Sequence, residues 1–361
     1  MKLLVGDCGG TYSRLKLLDM SSNLDEDKTL FKKRYENQNY SNLESVIEDF
    51  LNQINRNYNA CLKPDKACFA IAATVSNNRG KIVLTKSKKT GEAWPEVDGK
   101  KLTCHFQIPQ VSVINDFDGV GYGIINLWKS NFTNLYTLQH GELKEKTRIA
   151  IIGAGTGLGE TFLIWQDNDY KVYPTEGGRT TFSSRNDTEY ELFKYLKKKF
   201  NRPDIAVQDV VSGKGIRNIF EFLRYKKSNS LTNAAIPEAM EIASAALAVK
   251  TLNRKHFIHQ FSNYYGADAV VLAQEAMKIF VEAYATEAAN LALKTLPYNG
   301  LYIVGDIAVK NLPLFEKGAS FINTFLQKEW EIELLKKIPV HIILNEEVGL
   351  IGATYYAKTM M

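Results

Sequence analysis

Proline is scarce in this chain, 9 of 361 residues, and glycine is ordinary at 24. A Pro/Gly-rich disordered chain and a collagen-like one are therefore excluded. Cysteine is scarcer still. The four, Cys8, Cys61, Cys68 and Cys104, form no C-x-x-C pair, so zinc and dithiol spacings are absent and no disulfide framework is implied. Free thiols fit a reducing compartment, and the expected location is the cytoplasm. No window approaches the roughly 18 apolar residues of a membrane span. The first apolar run stops at Val5 and meets Asp7, too short for a signal segment. Charge of one sign is lacking too: 45 Lys and Arg against 40 Asp and Glu leave +5. The basic clusters Lys86/Lys88/Lys89, Lys197–Lys199 and Arg224–Lys227 read as solvated surface, so neither nucleic acid nor membrane is expected as a partner.

What is present is an ordinary globular composition, 45% hydrophobic and 24% charged. At about 150 residues per domain the length suggests two domains, with ample core and no need of disulfides. Leu3-Leu4-Val5 and Leu15–Leu18 read as strands around the turn Asp7-Cys8-Gly9-Gly10-Thr11, whose glycines allow positive φ. Leu43, Val46, Ile47, Phe50, Leu51 and Ile54 recur at helical spacing, and Ser41-x-x-Glu44 reads as its capping box. Short apolar runs follow at Cys68–Ala73 and Val111–Ile114, with a helix from Asp116 to Leu127. The polar stretch Gln139–Thr147 reads as a surface connection. Arg148–Ile152 then repeats the opening plan, running into Gly153–Gly159 and a second apolar run, Thr161–Trp165. A repeated plan suggests two related halves. Helices are expected after Asn186 to Phe200, at Gly215–Tyr225, Pro237–Leu252 and Ala267–Thr295, and strands at Leu301–Val304 and Val340–Leu344. Strands interleaved with helices mean α/β.

Gly153–Gly159 fails the G-x-G-x-x-G test, because Leu158 stands at the third glycine, and no Walker A loop occurs. Each glycine turn alone fits an ordinary hairpin or a phosphate-binding loop. Their matching positions favour the second, with backbone amides and the hydroxyls of Thr11 and Thr156 facing a polyphosphate. Asp116 ends a buried strand, where α/β sheets commonly bind ligands, and a carboxylate there accepts the proton of an attacking hydroxyl. Capping of the following helix is the bland alternative. Asn115 beside it and Glu176-Gly177-Gly178 suit a polyol. His256-x-x-His259 lacks a third ligand nearby and reads as structural. Ser212–Gly215 reads as a helix start, and no G-x-S-x-G exists.

Five blocks, VGDCGGTYSRL (5–15), VINDF (113–117), IIGAGTGLG (151–159), EGG (176–178) and VSGKG (211–215), together with IPVHIILNEEVGLIGA (338–353), resemble the bacterial-type glucokinases of the actin/Hsp70/hexokinase superfamily. The resemblance spans nearly the whole chain. It implies a two-lobed actin/hexokinase-like (ribonuclease H-like) α/β fold with a cleft, the small lobe covering 1–126 plus 339–361 and the large lobe 127–338. It further implies Mg-ATP-dependent phosphorylation of a hexose, glucose by default. Asp7, Gly9, Gly10 and Thr11 would form the first phosphate loop, Asp7 also holding Mg²⁺ through water. Gly155, Thr156 and Gly157 would form the second, with Gly305 at the adenosine motif. Asp116 would be the catalytic base and bind sugar with Asn115 and Glu176, and Arg179 and Gln208 would stand at the remaining sugar-binding positions. A homodimer fits such kinases.

This sequence departs from the family pattern in places. Arg179 stands where the sugar loop usually has histidine, and Gln208 where a sugar-binding glutamate is usual. Ala72–Val75 lacks the usual proline, and Lys86–Trp94 replaces a short sugar-contact motif. The paired glycines of the adenosine motif are here Gly305-Asp306. A kinase for another hexose or a derivatised sugar, and a non-catalytic sugar- or partner-binding protein, stand as alternatives. The related ROK branch carries a zinc-binding cysteine cluster that this sequence lacks.

Overall fold

The computed structural model describes residues 1–20, 27–59, 62–82, 85–130, 134–228, 235–248, 255–316 and 320–361. They form two compact units. One comprises Met1–Thr133, Gln166–Pro174 and Asn345–Met361; the other comprises Asn134–Trp165 and Thr175–Leu344.

In the first unit β1 (Lys2–Cys8), β2 (Tyr12–Asp19), β3 (Lys28–Glu36) and β4 (Lys66–Ile71) are followed by a small sheet of β5 (Val75–Ser76), β6 (Arg79–Lys81) and β7 (Glu96–Asp98), and then by β8 (Gln110–Asn115). The main sheet runs β3-β2-β1-β4-β8. β1, β4 and β8 are parallel neighbours, and β1-β2-β3 is an antiparallel meander. The central strands are near-continuous apolar runs because both faces are covered. Leu4, Leu15, Phe69 and Ile71 bury against the helix Leu43–Tyr58. Leu3, Val5, Cys68 and Ala70 bury instead with Leu350 and Ala353 of the C-terminal helix Val348–Thr359. That helix crosses Asp116–Lys129 with almost no space between backbones: a Cβ on Gly352 would lie 1.6 Å from the Gly119 carbonyl oxygen, and one on Gly123 2.1 Å from that of Val348. Glycine is obligatory at such a crossing.

The second unit holds β9 (Leu135–Gln139), β10 (Ile149–Ala154), β11 (Leu158–Gln166), β13 (Leu301–Val304) and β14 (Val340–Ile343); β12 (Asp169–Pro174) belongs to the first unit. Its strands lie in the order β11-β10-β13-β14-β9. As in the first unit, an antiparallel hairpin leads to two further parallel strands, here β13 and β14. The core is centred on the helix Ala269–Thr295, whose alanines admit close neighbours and whose Tyr284 is fully buried.

Several local expectations are corrected. The capping box of the first helix is Asn42 with Ser45, not Ser41 with Glu44; Asn42 Oδ1 accepts from the Ser45 amide at 2.8 Å. β3 escapes notice because four of the nine residues of its sequence, KTLFKKRYE, are lysine or arginine on a largely solvated edge. Gln139 ends β9 rather than opening a surface connection, and its amide donates to Leu335 and Ile338 carbonyls. The helix expected at Pro237–Leu252 is Ala239–Ala248, and 249–252 lie outside the described residues. Asn186 caps Asp187–Phe200 as expected. Cys8 and Cys68 are buried free thiols, Cys104 is exposed, and Cys61 lies outside the described residues.

Candidate functional site

In the first unit the β1–β2 turn carries Gly9, Gly10 and Thr11. Positive φ does not explain the glycines: neither Gly9 nor Gly10 lies in that region. At Gly9 an added Cβ would meet nothing nearer than the Tyr12 carbonyl oxygen at 3.5 Å, so the fold has room for a side chain there and leaves that face open. The turn's carbonyls are tied down by protein donors. Asn37 Nδ2 donates to Gly9 O at 2.8 Å, the Asn37 amide to Thr11 O at 2.9 Å, and Thr85 Oγ1 to Gly10 O at 2.6 Å. Capping three carbonyls reduces the turn's negative potential, which favours an approaching phosphate. Asn37, fully buried and bonded also by Ser13 Oγ, is the organiser that sequence reasoning missed. It follows an inconspicuous edge strand, and no local motif marks it.

Asp7 sits at the end of β1, with Arg14 Nη1 of β2 3.4 Å from its Oδ2. Gly349, opening the C-terminal helix, has no room for a side chain because a Cβ would come 3.0 Å from the Asp7 carboxyl carbon. Two strands away, Asn115 ends β8 and caps the helix that Asp116 begins. Capping thus falls to Asn115: its Oδ1 accepts from the Phe117 and Asp118 amides at 2.8 and 3.2 Å, and its Nδ2 donates to Ala73 O at 2.9 Å. One N–H of that amide remains for another acceptor. Asp116, although it accepts from the Phe117 amide at 3.0 Å, is pushed up to about 8 by burial and then by the charge of Asp7. Burial likewise raises Asp118 to about 6. A carboxyl poised near neutral pH at a strand end has the titration that a general base needs.

The second unit has its own glycine turn. The Gly155 amide donates to Gly157 O at 2.8 Å, and the Gly213 amide donates to Gly155 O at 2.8 Å. An added Cβ on Gly155 would meet nothing within 4 Å. The strand before it is pinned by Tyr284, whose hydroxyl accepts from the Ala154 amide and donates to Ile152 O. Gly305 lies alongside at φ 98°, its position for a Cβ 3.1 Å from the Ala154 carbonyl oxygen, so glycine is needed there on both counts. The next residue, Asp306, pairs with Lys310 at 2.8 Å one helical turn on. Ser212–Gly215 opens the helix Gly213–Ser228, the Ser212 hydroxyl accepting from the Gly215 amide.

Glu176 precedes a single helical turn, Gly177–Arg179, and Arg179 Nε lies 3.1 Å from Glu176 Oε2. The glycines are steric: Cβ atoms at 177 and 178 would stand 1.9 Å from Glu160 Oε2 and 2.2 Å from the Leu158 carbonyl oxygen. The turn Val207–Asp209, which carries Gln208, lies next to it, the Val207 amide donating to Thr180 O at 2.8 Å. Asp7, the first turn, Asn115 and Asp116 therefore gather at one end of the first unit's sheet. Gly155–Gly157, Gly305, Glu176, Arg179 and Gln208 are carried by the second unit. His256 and His259 lie on the helix Lys255–Tyr265, and among the described residues no group of three metal-ligating side chains occurs.

The sequence model of the Glucokinase family matches residues 4–273 and 267–360. The chain is 43% identical over 360 residues to a glucokinase of Nostoc sp., covering 99% of each chain, and 27% identical over 356 residues to a glucokinase of Colwellia psychrerythraea, covering 98% of this chain and 95% of the other. A Balamuthia mandrillaris glucokinase solved with glucose superposes at TM-score 0.78 with 21% identity, over 99% of this chain and 93% of that one. A ROK family glucokinase from Streptomyces griseus, solved with glucose and AMPPNP, gives 0.58 at 13% identity over 99% of both. The solved structures show the actin/hexokinase-like sugar-kinase fold, and the family match with the long, 43%-identical alignment shows the rest: this chain belongs to the glucokinase family.

Proposed function

We propose that the protein transfers the γ-phosphoryl group of ATP to glucose, giving glucose 6-phosphate and ADP. The observation that carries this is Asp116: a crowded carboxyl at a strand end, held near neutrality beside Asp7, in a chain 43% identical to a glucokinase along its full length. Asp116 takes the proton of the attacking sugar hydroxyl as its oxygen meets phosphorus. The remaining N–H of Asn115 and the carboxylate of Glu176 hold sugar hydroxyls, and Arg179 and Gln208 border them. Gly9, Gly10 and Thr11 cradle phosphate in the first unit, and Gly155, Thr156 and Gly157 in the second. Phosphoryl transfer asks mainly for such positioning and charge stabilisation.

The donor set suits Mg²⁺, which prefers one or two carboxylates and keeps several waters. Asp7 is the residue that would hold it through water, beside the open face at Gly9. When bound, the ion supplies charge neutralisation of the transferring phosphate.

Glucose is preferred over an acidic sugar because the Arg179 guanidinium is already matched by Glu176 within its own turn. A coupled ADP-release assay with Mg-ATP and a panel of glucose, mannose, fructose, glucosamine and N-acetyl sugars tests the reading. Glucose turnover is expected. Turnover of another sugar alone overturns the substrate, and silence with a folded protein and no nucleotide binding overturns the kinase.

A further inference from the structure

Glu160 has no part in the chemistry above, yet it is 3% exposed and its Oε1 lacks a hydrogen-bond partner. Its Oε2 stands 1.9 Å from where a Cβ on Gly177 would be, so the carboxyl lies directly against the backbone of the sugar loop. Its carbonyl also grips that loop, accepting from Thr175 Oγ1 at 3.0 Å and from the Thr175 amide at 3.3 Å, while Thr175 Oγ1 accepts from the Gly177 amide at 3.1 Å. Behind it stands a second buried carboxyl, Glu287 of the long helix, 6% exposed and with Oε1 likewise unbonded. Glu287 Oε2 accepts from Asn290, and Lys294 reaches Oε1 only at 4.0 Å.

We infer that Glu160 is a positioning residue for sugar binding: packed beneath Gly177 and facing Glu287, it fixes the loop that carries Glu176 and Arg179, and charging both carboxyls together loosens that loop. The inference rests on the sugar-binding role proposed for Glu176. Carboxylates that share a buried site repel, so the charge of Glu287 disfavours ionisation of Glu160. Burial and then the charge of Glu287 push Glu160 up to about 8, Lys294 opposing them. The charged and titratable groups around the pair are Tyr284, Glu287 and Lys294 from the long helix and Lys328 beyond Glu287; Arg185 acts on Lys328 in turn. From the loop side the uncharged Gly177 lies against the carboxyl. Below about pH 8 a neutral Glu160 sits quietly against the loop; above it, repulsion from Glu287 drives the carboxylate toward Gly177.

The test is the glucose Kd without nucleotide, by calorimetry from about pH 6 to 9.5, for the wild type, Glu160→Gln and Glu287→Gln. Asp116 titrates in the same window in all three proteins, so linkage predicts that wild-type binding weakens by about tenfold across the range relative to both neutral isosteres. A residue that merely fills space would leave the pH profile unchanged on Gln substitution. A Glu160→Gln profile that follows the wild type overturns the inference. Deuterium uptake by the peptide spanning 175–182 at one alkaline pH needs no sugar: faster exchange in wild type than in Glu160→Gln is expected, and equal exchange overturns the inference. Failure of glucose to bind any of the three at any pH instead overturns the substrate reading, and the exchange comparison still decides the role of Glu160.

Discussion

Replacing Asp116 with Asn separates what this carboxyl does for catalysis from what it costs the fold. In the native protein it titrates at about 8, against an ordinary value of 3.8. At pH 7 folding must therefore protonate a group that is ionised in the unfolded chain. The 3.2 pH units between the ordinary value and pH 7 amount to about 4 kcal/mol at 1.36 kcal/mol each. Asparagine carries no such penalty, and its carbonyl oxygen can still accept from the Phe117 amide. The sign follows from proton binding: between about 4 and 8 the native state holds more protons than the unfolded one, so the wild type loses stability as pH rises. The gap in favour of Asp116→Asn should be near zero at pH 3.5, widen by about 1.4 kcal/mol per pH unit, and level off above pH 8. Urea unfolding of the two proteins in parallel at six pH values measures it, and titrating groups that do not interact with Asp116 cancel in the difference. Turnover should fall by orders of magnitude in the same variant. A gap that does not change with pH would refute the argument, because desolvation and Asp7 could not then be raising this carboxyl.

Because the base must be ionised to act, kcat/KM is expected to fall about tenfold per pH unit below about pH 8; a profile flat from pH 6 to 9 contradicts the assignment. Gly155→Ala meets open space, so its Tm should stay within about 1 °C while KM for ATP rises at least about tenfold, since a phosphate would need that face. Unchanged KM would remove Gly155 from the nucleotide site. Arg179→Ala breaks a solvent-exposed pair worth at most about 1 kcal/mol, so glucose KM should move by less than about fivefold. A hundredfold change would make Arg179 a direct sugar ligand. Gly352→Ala, forced 1.6 Å from the Gly119 carbonyl oxygen, should lose at least about 2 kcal/mol in urea unfolding.

Hydrophobic period is local and was legible, and cap chemistry was legible at Asn186 but misplaced by one residue at the first helix. The run Leu43 to Ile54, the cap at Asn186 and the apolar strands before each glycine turn could be read to within a few residues. Amphipathic or capped segments report their own environment. β3 could not be read so, because an edge strand of lysines satisfies water on its outer side and depends on β2 for its pairing. Gly9 and Gly10 stood out as glycines, but a reason resting on backbone angle was mistaken: what the sequence cannot encode locally is how near the next atom lies.

By itself, then, the amino-acid order determined the class of fold, the repeated hairpin plan and the family, since spaced glycine turns and Asn115-Asp116 are a pattern along the chain. Tertiary structure alone decided which groups share a charge environment. Asp116 titrates near neutrality because the fold buries it and because Asp7, more than a hundred residues earlier, reaches the same end of the sheet across β4. Glu160 lies under Gly177 opposite Glu287 because a strand, a loop and a helix meet there. Electrostatic coupling and steric exclusion act through space over a few ångströms, and sequence separation carries no record of such distances.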